Sequence, residues 1–175
     1  MADSAVDTDA NLAAAAAAGN RDAFERLVRS HYDRIHGLAW RLTGSRADAD
    51  DIAQEVCCAL VEKIGSFRGE AKFTTWLTGI TFNACRDFMR RRRSLGGLLE
   101  RLTILAGIVD PPNDPYDAVW LKSAIARLKP ALRETLVLVA GQQLTHAEAA
   151  EILGIAENTV AWRMHEARRI LSSGD

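Results

Sequence analysis

Residues 144–171 constrain the fold most strongly, because they predict two short helices joined by a tight corner. Thr145 stands where it would cap the first helix, and Glu148 follows three residues later to complete a capping box. Gly154 marks the corner, since glycine readily adopts the positive φ that ends many helices. Ile155 would then fill the space inside the corner.

The apolar residues of this stretch recur at helical spacing. We expect inner faces made of Ala147, Ala150 and Leu153 in the first helix and of Val160, Met164, Ala167 and Leu171 in the second. The outer face of the second helix would hold Asn158, Thr159, Trp162, His165, Glu166 and Arg169. This layout is typical of a helix-turn-helix, whose second helix enters the major groove of DNA. An ordinary antiparallel helix pair within a bundle is the alternative.

The rest of the chain also has helical periodicity, without the alternation of a strand. A run of alanines predicts a short N-terminal helix that ends at Gly19 and Asn20. We therefore predict an all-α fold of two small helical bundles joined by a linker, with the helix-turn-helix in the second bundle. The predicted divisions are an N-terminal extension at 1–20, a first bundle at 21–93, a linker at 94–115 and a second bundle at 116–175.

The predicted linker is bounded by Gly96 and Gly97 at one end and by three prolines near the other. Its eight large aliphatic side chains would be exposed in a free tether, so we expect them to pack. The hypothesis is a short helix over residues 98–108 that docks between the two bundles.

The third long helix of the first bundle begins at Phe73 and closes on four consecutive arginines, residues 90–93. Its predicted inner face comprises Trp76, Leu77, Ile80, Cys85 and Phe88. Basic residues in a last turn suit the helix dipole, but four exceed what capping requires. We therefore expect this run to contact phosphates.

Composition excludes several classes of function. The formal net charge of −1 gives no global basic surface, although five basic residues fall within 86–93. The three cysteines form no CxxC pair and the histidines are not at ligand spacing, so we expect no metal and no cofactor. No catalytic constellation is evident, so we expect neither an enzyme nor a small-molecule substrate. No apolar run is long enough to span a membrane.

Four motifs, taken in order, resemble the extracytoplasmic-function sigma factors of the bacterial sigma-70 family. They are DADDIAQEV (48–56), FRGEAKFTTWL (67–77), RDFMRRRR (86–93) and the C-terminal stretch that begins LKPALRETL and contains the helix-turn-helix. The resemblance covers residues 10–93 and 116–172. It implies that the first bundle is sigma region 2, which docks on core polymerase and recognises and melts the minus-ten element. The second bundle would be region 4, which recognises the minus-thirty-five element.

The resemblance also implies site residues in the first bundle. Those that would dock on the β′ coiled coil of polymerase lie off the apolar stripe of their helix and are Asp51, Gln54, Glu55 and Cys58. The loop and helix that follow would hold the minus-ten non-template strand, which requires an apolar pocket for a flipped base and cations for the backbone. These residues are Phe67, Arg68, Lys72, Trp76, Asn83, Arg86 and Arg90. Trp76 also fits the core, because it begins an inner face.

In the second bundle, the implied minus-thirty-five contacts are Thr159, Trp162, Arg163, His165, Glu166 and Arg169. The chain departs from the family here, which usually has basic residues at the positions of Ala161 and Glu166. A carboxylate accepts a hydrogen bond from cytosine N4 but repels phosphates, so the preferred base sequence should be unusual. Arg163, Arg168 and Arg169 remain for contacts with the DNA backbone.

The leading hypothesis is a cytoplasmic alternative sigma factor that binds promoter DNA and core RNA polymerase, through the β′ coiled coil and the β flap. An anti-sigma factor would hold it inactive. A second hypothesis is a sigma-like decoy that sequesters an anti-sigma factor, which the weakened recognition helix favours and the loop at 67–72 argues against. A third is a stand-alone helix-turn-helix repressor, which would need a dimer interface to read paired half-sites.

Overall fold

The computed structural model describes residues 3–103, 125 and 128–172, with side chains for 9–92, 125 and 128–172, and every element in this part of the chain is helical. The first bundle contains α1 (Asp3–Ala17), α2 (Arg21–Thr43), α3 (Arg46–Lys63), a 3-10 turn (Ile64–Ser66) and α4 (Phe73–Thr103). The second contains α5 (Pro130–Leu136), a π-helical segment (Val137–Gly141), α6 (His146–Leu153) and α7 (Glu157–Ser172). The predicted all-α fold of two bundles is confirmed.

Local cap residues set the helix ends of the first bundle. Asn20 accepts a hydrogen bond from the Ala23 amide at 3.1 Å and begins α2. Gly44, with φ of 72°, ends that helix in the left-handed conformation. Ser45 then accepts from the Asp48 amide at 3.3 Å and begins α3. Because these interactions are short-range, the sequence is sufficient to predict the boundaries.

The core of the first bundle lies where α2, α3 and α4 meet. A buried apolar stripe runs along α3 and into the 3-10 turn. Each of its side chains is at most 5 % exposed, and they are Ile52, Val56, Leu60 and Ile64. Phe82 is fully buried although it lies outside the inner face predicted for α4. Thr78 and Thr81 are also buried, because each hydroxyl donates to the carbonyl one turn earlier, at 2.7 Å and 2.9 Å. The buried face of α4 is therefore wider than the inner face predicted from its apolar residues.

The predicted end of the third long helix is wrong, because α4 continues past Arg93, through Gly96 and Gly97, to Thr103. A glycine inside a helix costs about 1 kcal/mol relative to alanine but does not forbid the conformation. The leucines at 95, 98, 99 and 102 also follow helical spacing, which favours continuation. The rest of the linker, part of the helix hypothesised over 98–108 and most of the helix expected from residue 116 lie outside the described residues.

In the second bundle, α7 crosses α6 at the predicted corner. Its buried residues are Val160, Met164 and Ala167, as predicted. Gly154 has φ of 66°, and its amide donates to the last carbonyls of α6. The inner face predicted for α6 is wrong at one position, because Ala147 is exposed while Ala149 is buried beside Ala150. The reason is that α6 packs against α4 as well as against α7, which rotates its buried face.

The two bundles touch through α6 and the segment before it, an arrangement that we call the closed contact. Thr75 Oγ1, near the start of α4, donates to Glu148 Oε1 at 2.8 Å. Arg34 Nη2, on α2, donates to the carbonyl of Gln142 at 2.9 Å. Thr75 and Gln142 are both buried, so these hydrogen bonds lie inside the interface between the bundles.

Candidate functional site

The predicted polymerase-docking residues lie together on the exposed side of α3. Asp51, Gln54, Glu55 and Cys58 are all exposed, opposite the buried stripe of the helix. Glu62, one turn beyond Cys58, is exposed on the same side. Because Glu62 follows Cys58 by four residues, helical spacing extends the predicted docking face by one turn to include it.

The arginine run at the end of the predicted third helix has a structural role that the sequence did not indicate. Arg91 Nη2 donates to both carboxylate oxygens of Glu55, at 2.9 Å and 2.8 Å, and Arg92 pairs with Asp48. These pairs tie α4 to α3 across the bundle. The Arg91–Glu55 pair is exposed on both sides, so it contributes only about 0–1 kcal/mol to stability. Arg91 also holds the Glu55 carboxylate at the edge of the docking face.

Aromatic side chains line the loop between the 3-10 turn and α4. The ring centroid of Phe67 lies 5.3 Å from that of Phe73, edge to face, and 5.4 Å from that of Trp76. The His31 ring is 5.3 Å from Phe73 on the inner side. Phe73 is buried, whereas Phe67 and Trp76 are half-buried, so both belong partly to the core and keep one exposed edge. We call Phe67 and Trp76 the aromatic wall, and it is the apolar part of the predicted minus-ten site.

The predicted cations lie on either side of the aromatic wall. Arg68 and Lys72 are exposed in the loop itself. Further along α4 the predicted residues Asn83, Arg86 and Arg90 are also exposed, at spacings that place them on one face. The Arg86 guanidinium lies 5.8 Å from the centroid of the Phe82 ring, and Arg90 Nη2 is 3.1 Å from Asp87 Oδ1. The structure thus brings together apolar edges and positive charge, the combination that single-stranded DNA requires.

The helix-turn-helix presents its second helix to solvent. The capping box is complete, since the Thr145 hydroxyl accepts from the Glu148 amide while Glu148 Oε2 accepts from the Thr145 amide at 2.9 Å. On α7 the exposed predicted contacts are Trp162, His165 and Arg169, and the half-buried ones are Thr159, Arg163 and Glu166. These six residues stay predictions as DNA contacts.

Glu148 has a second role that the sequence did not indicate, because it also accepts the hydrogen bond of the closed contact. Burial raises the pKa of its carboxyl, but hydrogen bonds from Thr145 and Thr75 and the charge of Lys72 outweigh burial, so the net pKa lies below its ordinary value. The carboxylate is therefore ionised in the closed contact. Lys72, a predicted minus-ten residue, thus lies beside α6, the first helix of the helix-turn-helix.

In the described part of the chain, no three His, Cys, Asp or Glu side chains are grouped closely enough to hold a metal ion. Across the same residues, no helix combines the length and the hydropathy that a membrane crossing requires.

Comparison with known families identifies the class of protein. Residues 27–95 match Sigma-70 region 2, and residues 118–171 match Sigma-70 region 4. An all-α chain with these two regions in this order is a sigma factor of the sigma-70 class. Sigma factors bind the RNA polymerase core and direct it to promoter DNA, and they are regulators rather than enzymes.

Individual relatives narrow the class, and the chain belongs to the ECF RNA polymerase sigma factors. It is 35 % identical to SigM of Mycobacterium tuberculosis over 94 % of this chain and 83 % of SigM. It is 32 % identical to CnrH of Cupriavidus metallidurans over 95 % of this chain and 94 % of CnrH. The solved structure of CnrH with the cytosolic domain of CnrY has a TM-score of 0.71 at 30 % identity, covering 95 % of this chain and 96 % of CnrH. The predicted family and function are confirmed.

Proposed function

We propose that the two bundles divide promoter recognition between them. The first bundle docks on core polymerase through the exposed side of α3, and its loop at 67–72 with α4 captures and opens the minus-ten element. The second bundle reads the minus-thirty-five duplex with α7 and contacts the β flap. The observation that carries this proposal is the aromatic wall of Phe67 and Trp76 flanked by Arg68 and Lys72, since it combines a stacking surface with backbone cations.

We further propose that an anti-sigma factor binds this chain and that it acts in the cytoplasm, as a regulator without catalytic activity. Support comes from CnrH, whose solved structure contains the cytosolic domain of CnrY. The sigma factor RpoE of Bartonella quintana, solved with the anti-sigma factor NepR, shares the fold at a TM-score of 0.71 and 23 % identity. An anti-sigma protein that grips both bundles would stabilise the closed contact.

Replacing Arg68 and Lys72 with alanine should reduce transcription more on a duplex promoter than on one with a pre-opened bubble. The reason is that cations beside the aromatic wall would stabilise the separated strand, which a bubble template supplies in advance. Each lost phosphate contact should also flatten the slope of log K against log salt by ~0.7–0.9. Run-off transcription and salt titration with reconstituted holoenzyme measure both effects.

The matched control is Arg26→Ala with Arg46→Ala, which removes the same charge from exposed positions elsewhere in the first bundle. It should leave the ratio of duplex to bubble activity unchanged. Equal losses on both templates for the Arg68 and Lys72 variant would show that these cations position the complex without opening DNA.

Alkylation of the cysteines should report on the docking face. Burial raises the pKa of the Cys85 thiol to about 12, and burial together with neighbouring Cys58 raises that of Cys57, whereas Cys58 is exposed. Cys58 should therefore react first in the free protein and Cys85 only after unfolding. Mass spectrometry should show that core polymerase slows the reaction of Cys58. Unchanged labelling of Cys58 in holoenzyme would place the docking face elsewhere.

A further inference from the structure

Two charged side chains on the outer face of α7 are joined in a fixed geometry. Arg169 Nε donates to Glu166 Oε2 at 2.8 Å, and Arg169 Nη2 donates to Glu166 Oε1 at 2.7 Å. The pair is bidentate, so the planar guanidinium holds the carboxylate plane in a defined orientation. Each carboxylate oxygen keeps a further lone pair, because one ionised carboxylate offers about four acceptor sites.

The pair lies on the side of α7 that faces away from its buried residues. Trp162, one turn earlier on the same side, is 62 % exposed, and Val160 and Met164 are buried on the other side. The side chain of Arg169 is 60 % exposed and that of Glu166 24 % exposed, so the arginine covers part of the carboxylate but not all of it.

The surroundings of Glu166 are positive. The hydrogen bond from Arg169 is the main reason that the pKa of Glu166 lies below its ordinary value, and the charges of Arg169, His165 and Lys129 add to it. The carboxylate is therefore ionised and its charge is compensated locally. This weakens the repulsion between Glu166 and phosphates that the sequence alone suggests, since the compensating cations lie within the same patch.

We propose that Glu166, held in place by Arg169, reads a C·G base pair by accepting a hydrogen bond from cytosine N4 in the major groove. This inference rests on the proposed function of the second bundle as a reader of duplex DNA. Glu166 is the specificity-determining residue, and Arg169 is a positioning residue that acts through it.

The chemistry of the base edges selects cytosine. An ionised carboxylate only accepts hydrogen bonds, whereas guanine presents the acceptors N7 and O6 in the major groove and thymine presents O4 and a methyl group. Adenine offers the N6 donor, but its N7 acceptor lies beside it and would repel the second carboxylate oxygen. Cytosine offers the N4 donor without a neighbouring acceptor on the same base.

The test is Glu166→Gln in full-length protein assembled with core polymerase. An amide both accepts and donates, so it can bind adenine N6 and N7 together, whereas at cytosine it gains only the single hydrogen bond from N4. Holoenzyme would select from a pool of duplexes randomised through the minus-thirty-five and minus-ten regions, followed by sequencing. Wild type should prefer C·G at one upstream position by about tenfold, and Glu166→Gln should shift that position towards A·T.

Two variants serve as controls. Glu151→Gln, on the exposed side of α6, removes the same charge and should leave every base preference unchanged. Arg169→Lys keeps the charge but lacks the planar fork, so it should lower the discrimination at that position severalfold while the dependence of binding on salt stays the same.

The outcomes separate this inference from the proposed function. If wild type selects an upstream sequence but Glu166→Gln leaves its preferences unchanged, Glu166 does not read a base and the inference is overturned. If wild type selects no upstream sequence at all, the role proposed for the second bundle fails, and this inference fails with it.

Discussion

Charge reversal at Asp51 and Glu55 is expected to abolish binding to core RNA polymerase while leaving the fold intact. Both carboxylates lie on the exposed side of α3, off its buried stripe, so replacing them with lysine removes no core contact. Glu55→Lys does break the ion pair with Arg91, but an exposed pair contributes only about 0–1 kcal/mol. Pull-down of core polymerase, with circular dichroism to monitor helicity and melting, measures both parts of this expectation.

Two further variants separate docking from the ion pair itself. Glu25→Lys reverses an exposed carboxylate that also pairs with an arginine, Arg29, in the same bundle, and it should assemble holoenzyme normally. Glu55→Arg with Arg91→Glu restores an ion pair between α3 and α4 but leaves the docking face reversed. Holoenzyme formation by this double variant would show that Glu55 serves the fold and does not contact polymerase.

Phe82→Ala should destabilise the first bundle by about 3–5 kcal/mol. The side chain is fully buried, so its removal leaves a cavity in addition to the loss of buried apolar surface. A loss of this size is a large fraction of the ~5–15 kcal/mol that stabilises a typical domain. Chemical denaturation monitored by circular dichroism should show a lower midpoint.

Milder variants on α4 test whether burial is the cause. Phe82→Leu retains most of the apolar volume and should cost roughly 1–2 kcal/mol. Phe88→Ala removes a ring that is only half-buried on the same helix, so it should cost less than Phe82→Ala. If Phe82→Ala and Phe88→Ala prove equally damaging, the depth of burial of Phe82 is not what matters.

The parts of the structure that the sequence predicts well depend on neighbours within one helical turn. The capping box of Thr145 and Glu148, the cap at Ser45 and the left-handed turn at Gly154 all involve residues three or four positions apart. The stripe of Ile52, Val56 and Leu60 is similarly local, because helical periodicity alone defines it.

The parts that the sequence does not predict depend on residues distant along the chain. The role of Glu148 in the capping box can be recognised from the sequence, but only the fold brings Thr75 to its other oxygen. Arg91 likewise meets Glu55 only because α4 packs against α3. The burial of Phe82 is not predicted for a different reason. Thr78 and Thr81, which are buried on the same helix, interrupt the apolar periodicity from which a buried face is predicted.

The closed contact limits what the chain can bind at one time. Under the proposed division of promoter recognition, the two bundles bind the minus-ten and minus-thirty-five elements. These lie about 25 base pairs apart, or about 85 Å at ~3.4 Å per base pair. Thr75 and Glu148 are 2.8 Å apart in the closed contact, so this contact cannot persist when both elements are occupied. The apparent promoter affinity then equals the intrinsic affinity multiplied by the open fraction. A closed contact favoured by about 2.7 kcal/mol would weaken that affinity roughly 100-fold, and a partner that binds only one of the two arrangements would control transcription without touching DNA.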